Sequence, residues 1–430
     1  MEKNKLLSIS ILVSNNIATI RNCLESIRPI LEQISSELIV VDTVSPENSD
    51  GSLEIAKRYA SKIVRFEWCN DFAAARNAGL KNAKGEWFMF MDDDEWFESV
   101  EEIIQFFKTG EYQNYSSATY CIRNYTDKEG TNFTVATLGR MVRRTENLRF
   151  VGRIHETFSE MNLPCKEFVA FVHHFGYVYD SEEEKQAHSK RNMELLRQEL
   201  EKDASNLHYR TQMALELATC NNEEALLFCE ETFRICGVEK KKNNFQWQLA
   251  LVFRLYEALG VNSDTVDAKY VELKQKFGYN EITENAIAYQ MVRIHIINNL
   301  PEKAYSYAAK YFDTLQFLQS HPEQKQLQMT ADYQRYHETS VVLEMLHFGA
   351  YSAYHAKEYE MAWNWYSKMP WENKAFQNEE AFYLMVQLFQ KNRNATMMIG
   401  ILKRVMKNET LIGKQEIRNT ISAILATLKQ

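Results

Sequence analysis

At 430 residues the chain exceeds what one ordinary hydrophobic core holds, so two or three domains are expected. Its hydrophobic content of 45% and charged content of 25% fit a globular protein, and the net charge of −8 argues against general binding to nucleic acid. No apolar stretch is long enough to span a bilayer. Asn15 and Asn16 fall where a secretory signal requires apolar or small residues, and the seven cysteines are scattered without a CxxC pair, so a reducing, cytoplasmic setting is expected.

Taken in chain order, residues 1 to about 110 alternate strand and helix patterns. LLSISILV (6–13) is β-rich, and IATIRNCLESIRPILEQI (17–34) has apolar residues at helical spacing. ELIVVD (37–42) reads as a buried strand ending in an acid. GSLEIAKRYA (51–60) predicts a helix, KIVRFEW (62–68) a strand, and DFAAARNAGLKNAKG (71–85) a helix with Asp71 as its N-cap. WFMFM (87–91) is a strand with no polar face. Continuous apolar strands separated by helices imply a mostly parallel sheet covered on both faces, whose ligands lie at the strands' carboxyl ends. Asp42 and Asp92 both fall there.

From about 115 to 178 the segments are shorter and more β-like, and beyond Asp180 the chain is almost wholly helical. A boundary near 180 is therefore expected, with an α/β domain over 1–180 and an α-helical region over 181–430. Helix pairs recur at roughly 34–45 residues, the range of helical-repeat arrays. Ala350, Tyr359, Ala362 and Tyr366 fall near tetratricopeptide-like positions, with an irregular helical bundle as the alternative.

The stretch EWFMFMDDDEWFE (86–98) drives an apolar run into Asp92, Asp93, Asp94 and Glu95. Mutual repulsion makes this a poor place to stop unless a positive group compensates. Two carboxylates in a D-x-D arrangement can share a divalent cation that bridges two phosphates. A plainer reading is an acidic turn leading into the helix predicted from FESVEEIIQFF, since acids suit helix N-termini.

In that order, SISILVSNN, ELIVVDTVSPENSDGSLEIAKRYA, FEWCNDFAAARNAGLKNAKGEWFMFMDDDEWF and FVGRIHE resemble the family-two glycosyltransferases of GT-A fold. More narrowly they resemble the bacterial branch with a helical, tetratricopeptide-like C-terminal region, which includes peptide S-glycosyltransferases that modify bacteriocin cysteines. Over the helical half the likeness is architectural. The resemblance implies that Val13, Ser14, Asn15 and Asp42 hold the base and ribose of a nucleotide-sugar donor, a UDP-sugar. Without it, Asp42 reads equally well as an Asx-turn residue.

Arg76 matches the family's diphosphate-contacting arginine, a role suited to a permanently charged, bidentate group; an isolated arginine otherwise lies on a helix surface. The resemblance assigns Asp92 to the ribose or a metal-bound water and Asp94 to the metal, Mn2+ or Mg2+. Asp93 replaces a more usual alanine and is expected to face solvent. His174 is expected to complete the metal shell, the alternative being packing. Glu156 in GRIHE is the expected base of an inverting transfer, with His155 as its substitute; a hydrogen-bonded core pair is the bland reading. Trp87 is expected in the core, whereas Trp96 can stack on sugar.

Together these features predict metal-dependent inverting transfer of a hexosyl group to an acceptor, a peptide in one reading. The helical half would serve the acceptor, homodimerisation or both. A nucleotidyltransferase is the first rival, but VSNNIATIRN lacks the glycine-rich loop such enzymes need. The second is a non-catalytic adaptor with a relic transferase domain.

Overall fold

The computed structural model describes residues 5–131, 133–176, 178–179, 181–236, 246–324, 333 and 335–428. The first strand, β1 (Leu7–Val13), is followed by α1 (Ile20–Gln33), β2 (Ser36–Asp42), α2 (Ser52–Ala56) and β3 (Lys62–Arg65). Next come α3 (Phe72–Lys81), β4 (Trp87–Asp92), β5 (Glu95–Phe97) and α4 (Glu101–Lys108). Two long strands, β6 (Ser117–Tyr125) and β7 (Phe133–Arg143), precede the short β8 (Phe150–Val151) and β9 (Thr157–Phe158) and the closing β10 (Cys165–His174). Each alternation expected over the first 110 residues is present.

Eight strands form one sheet in the order β3-β2-β1-β4-β7-β6-β10-β5. The first four are mutually parallel, β6 and β10 are parallel to each other, and β7 and β5 run antiparallel to their neighbours. The result is the mostly parallel sheet that the apolar strands imply. Both faces are covered. Ile9, Ile11, Val40 and Met89 pack with Ile20, Leu24, Ile27, Ile103 and Phe106 of α1 and α4. Ile39, Val41, Phe88 and Phe90 pack with Ala75 and Leu80 of α3 and with Phe150 and Phe158. On that second face β1 presents Ser8 and Ser10, which leaves room for a close helix. A Cβ at Gly79 of α3 would lie 2.3 Å from Ser10 Oγ, so glycine is what lets the two backbones approach.

Only Asp93 and Asp94 separate β4 from β5, a span of roughly 11 Å at most. Yet β5 pairs with β10, at the far margin of the sheet, matching Trp96 to His173 and Glu95 to His174. The sheet therefore curls until the end of β10 returns over the end of β4.

Strands end at His174, and α5 (Glu182–Lys202) and α6 (Leu207–Cys220) follow. The described residues divide into two compact units, one within 5–220 together with 333, the other within 221–324 and 335–428. The change to helix thus falls near 180, whereas the first compact unit takes in α5 and α6. The second unit is all-helical. In it the helix Glu281–Ile297 packs against Pro301–Ser320, and Thr339–His355 against Tyr359–Lys368. Asparagine side chains start many of these helices: Asn262, Asn280, Asn378 and Asn394 each accept a backbone N–H three residues on. Ala350, Ala362 and Tyr366, placed near repeat positions, are fully buried, and Tyr359 is half-buried. No described helix is long and apolar enough to cross a membrane.

Candidate active site

The carboxyl ends of β1, β2 and β4 meet at one place, since Val13 is in register with Asp42 and Leu12 with Asp92. Val13 is buried, and its carbonyl accepts from the Thr43 backbone at 3.1 Å. Asn15 fastens the 48–50 loop, donating to the Asn48 carbonyl at 2.9 Å and accepting from Asp50 N at 3.1 Å. Asp42 is buried; Val44 N donates to its Oδ1 at 3.2 Å, and Arg65 caps its other oxygen. The Asx turn and the strand-end placement are therefore both present at Asp42.

Asp71 caps α3 by accepting from Ala74 N at 2.8 Å, and one turn later the helix delivers Arg76 into the interior. Arg76 is not a surface residue. Its Nη2 donates to Asp92 Oδ1 at 2.6 Å and its Nε to Glu156 Oε1 at 2.5 Å. A second buried arginine, Arg140 on β7, donates to Glu95 Oε1 at 2.6 Å and lies 3.5 Å from Asp92 Oδ2. Both guanidiniums also lie against the Phe90 ring, Arg76 at 4.4 Å and Arg140 at 4.5 Å from its centre, within the reach of cation–π attraction.

The four successive carboxylates meet different surroundings. Burial alone would raise the Asp92 pKa, but Arg76 and Arg140 outweigh it and hold the group well below the usual carboxylate range. For Glu95, burial wins over Arg140 and pushes the group up to about 7. Asp93 corrects an expectation: it is buried rather than solvent-facing. The turn folds back onto β1, so that Ser14 N donates to Asp93 Oδ2 at 2.7 Å and Asn16 Nδ2 to Oδ1 at 2.6 Å. Burial raises its pKa to about 7. Ser14, read as a donor-site residue, thereby also anchors the acidic turn.

Asp94 is the fourth. Its Oδ1 is buried without a hydrogen-bond partner, and its Oδ2 lies 3.6 Å from His174 Nε2. His174 Nδ1 is fixed by Asn124 Oδ1 at 2.7 Å. A Cβ at position 176 would sit 2.4 Å from His174 Nε2 and 2.8 Å from Asp94 Oδ2, so Gly176 keeps that space clear. An orphaned carboxylate oxygen beside an oriented imidazole offers two donors of the kind a divalent cation would take. Asp92, with both oxygens against arginines, fits a metal less well. Among the described residues no group of three His, Cys, Asp or Glu side chains converges as a complete metal shell. Trp96 stacks on Phe175 at 5.4 Å and on His173 at 5.6 Å; Tyr177 lies outside the described residues.

Glu156 and His155 point to different surroundings. His155 has a left-handed backbone (φ 51°), which turns consecutive side chains apart. Glu156 meets Arg76, whereas His155 feels Glu216, His208 and His188 from α5 and α6. Burial lowers the His155 pKa from 6.5 to about 4. The unfolded chain therefore binds a proton there between those values that the folded chain refuses. Its stabilising share is complete above pH 6.5 and lost as pH falls through 4. His155→Asn, which tolerates the left-handed turn, is expected to blunt the fall in melting temperature between pH 7 and 4. Parallel acid titrations of the two proteins with identical slopes would refute it.

Arg140, Asn124, Arg65 and Asn16 were not among the sequence-level candidates. Arg140 shows only as a charge within the apolar alternation of TLGRMV, a weak signal for a buried ion pair.

Residues 8–169 match the family model described as Glycosyl transferase family 2. The chain is 28% identical over 205 residues to the SPbeta prophage-derived glycosyltransferase SunS of Bacillus subtilis, covering 46% of each chain. It is 26% identical over 183 residues to a TPR repeat-containing protein of Synechococcus elongatus, covering 40% of this chain and 43% of that one. It thus spans about half the length of these curated relatives. Among solved structures, S. aureus TarS 1-349 in complex with UDP-GlcNAc covers 74% of this chain and 92% of its own, at 13% identity and a TM-score of 0.32. The likeness to glycosyl transferase family 2 thus lies within residues 8–169.

Proposed function

We propose that the chain transfers a sugar from a UDP-sugar to an acceptor by metal-dependent inverting displacement. The observation that carries this reading is the bridge from Asp92 through Arg76 to Glu156, set at the carboxyl ends of β1 and β4. Asp42 with Arg65, together with Val13, Ser14 and Asn15, lines the donor end. Asp94 and His174 would hold Mn2+ or Mg2+, which when bound neutralises charge on the departing diphosphate. Glu156 takes the proton of the acceptor hydroxyl or thiol as that atom attacks the anomeric carbon. Arg76 sets the spacing of the two carboxylates, and a direct grip on diphosphate would require it to exchange one of them for phosphate oxygens.

The helical half would position the acceptor, and an extended peptide suits the concave face of a helical repeat array. Cysteines without disulfides among the described residues fit a reducing, cytoplasmic compartment. The test is release of free UDP from UDP-glucose, UDP-N-acetylglucosamine and UDP-galactose, with and without EDTA. No release from any of the three would overturn the transferase reading. Asp94→Asn is expected to weaken UDP binding in Mn2+ by calorimetry. Unchanged affinity, or equal wild-type affinity in EDTA, would remove the metal from the scheme.

A further inference from the structure

Glu156 ends a short segment, residues 150–156, that is fastened on two sides. On one side it is tied to α3. Asn77 Nδ2 donates to the Phe150 carbonyl at 3.0 Å, Phe150 N donates to Asn77 Oδ1 at 2.8 Å, and Phe72 N donates to the Arg153 carbonyl at 2.8 Å. This is the helix that carries Arg76, so both halves of the Arg76–Glu156 pair share one support.

On the other side it is tied to α5 and α6. Arg153 Nη1 donates to Gln198 Oε1 at 2.8 Å, and its Nε lies 3.7 Å from Glu199 Oε1 and 4.0 Å from Asp71 Oδ2. His208 Nε2 lies 3.4 Å from the His155 carbonyl. The segment itself is bent twice into left-handed conformations, at Gly152 (φ 97°) and His155 (φ 51°). A Cβ at Gly152 would come within 3.4 Å of Glu156 Cα and of the Tyr209 hydroxyl. A non-glycine residue such as His155 holds that conformation only where its surroundings over-determine it. Here the surroundings are α5 and α6, which lie beyond the matched family region ending at 169.

We propose that α5 and α6 are working parts of the transfer site, with Arg153 and His208 as positioning residues that hold Glu156 at its reacting distance. The inference rests on the proposed role of Glu156 as base. Such a clamp leaves donor binding alone and acts on the chemical step, because misplacement of a reacting group by about 1 Å costs up to 10²-fold in rate.

The experiment compares the full-length wild type with Arg153→Ala, Arg153→Lys and His208→Ala. It measures kcat and donor KM for UDP-sugar turnover, UDP affinity, and amide hydrogen exchange across residues 150–158. For Arg153→Ala the expected result is a fall in kcat of about 10- to 100-fold with UDP affinity and donor KM within twofold of wild type. Exchange across 150–158 rises selectively, Arg153→Lys recovers part of the rate, and His208→Ala shifts kcat and exchange in the same direction by less. Unchanged kcat and unchanged exchange in Arg153→Ala and His208→Ala would overturn the clamp. So would parallel loss of kcat and UDP affinity, which marks general destabilisation. Should Arg153→Ala fail to fold, His208→Ala decides by the same readouts. If the wild type itself turns over no UDP-sugar, the transferase reading falls, and the exchange measurements alone then decide whether α5 and α6 hold the segment.

Discussion

Glu156→Gln is expected to bind UDP as the wild type does and to lower turnover by about 10²–10⁴-fold, the usual worth of a general base. Glutamine keeps an oxygen to accept from Arg76 Nε, so the site should survive the change while losing its proton acceptor. The deficit should be larger for a hydroxyl acceptor than for a thiol, because some thiolate forms unaided at neutral pH. Steady-state kinetics with both acceptor types, alongside UDP calorimetry, would check this. A wild-type rate in Glu156→Gln, beside an inactive Asp94→Asn, would place the base elsewhere.

Arg76→Met is expected to destabilise the fold by about 3–5 kcal/mol, since removing one member of a buried charge cluster strands the others. Asp92 would keep only its longer contact with Arg140, and Glu156 would lose the partner it meets in the site. Arg76→Lys should recover little, because one ammonium cannot reproduce two divergent N–H donors. Adding Glu156→Gln to Arg76→Met should restore part of the loss, a positive coupling readable from urea unfolding of the four proteins. A loss below about 1 kcal/mol for Arg76→Met would mean that the cluster is solvated in solution and worth no more than a surface pair.

Local chemistry was legible in the sequence wherever a residue acts on its own neighbourhood. Asp71 caps α3 because the residue type and the following helix suffice to say so. The alternation of β1 to β4 with α1 to α3 follows likewise from periodicity. What escaped depended on distant partners. Asp93 was expected in solvent because nothing in DDDE reveals that Ser14 and Asn16 will lie beneath it. Arg140 stands 48 residues from Asp92 along the chain, and only the pairing of β7 with β4 brings them together. Glu156 and His155 looked interchangeable as neighbours in GRIHE, yet one left-handed dihedral separates their surroundings.

The short link between β4 and β5 bears on how such a site opens. Because Asp93 and Asp94 are all that join β4 to a strand bonded to β10, the carboxylate and the imidazole facing each other at Asp94 and His174 belong to one continuous hydrogen-bonded fabric. No hinge of loop residues lies between them. Separating the two would mean unzipping the pairs at Val172, His173 and His174 rather than swinging a lid. On the proposed function, exchange of a bulky diphosphate product would therefore fall to segments other than this one, with the Asp94–His174 end as a fixed anvil.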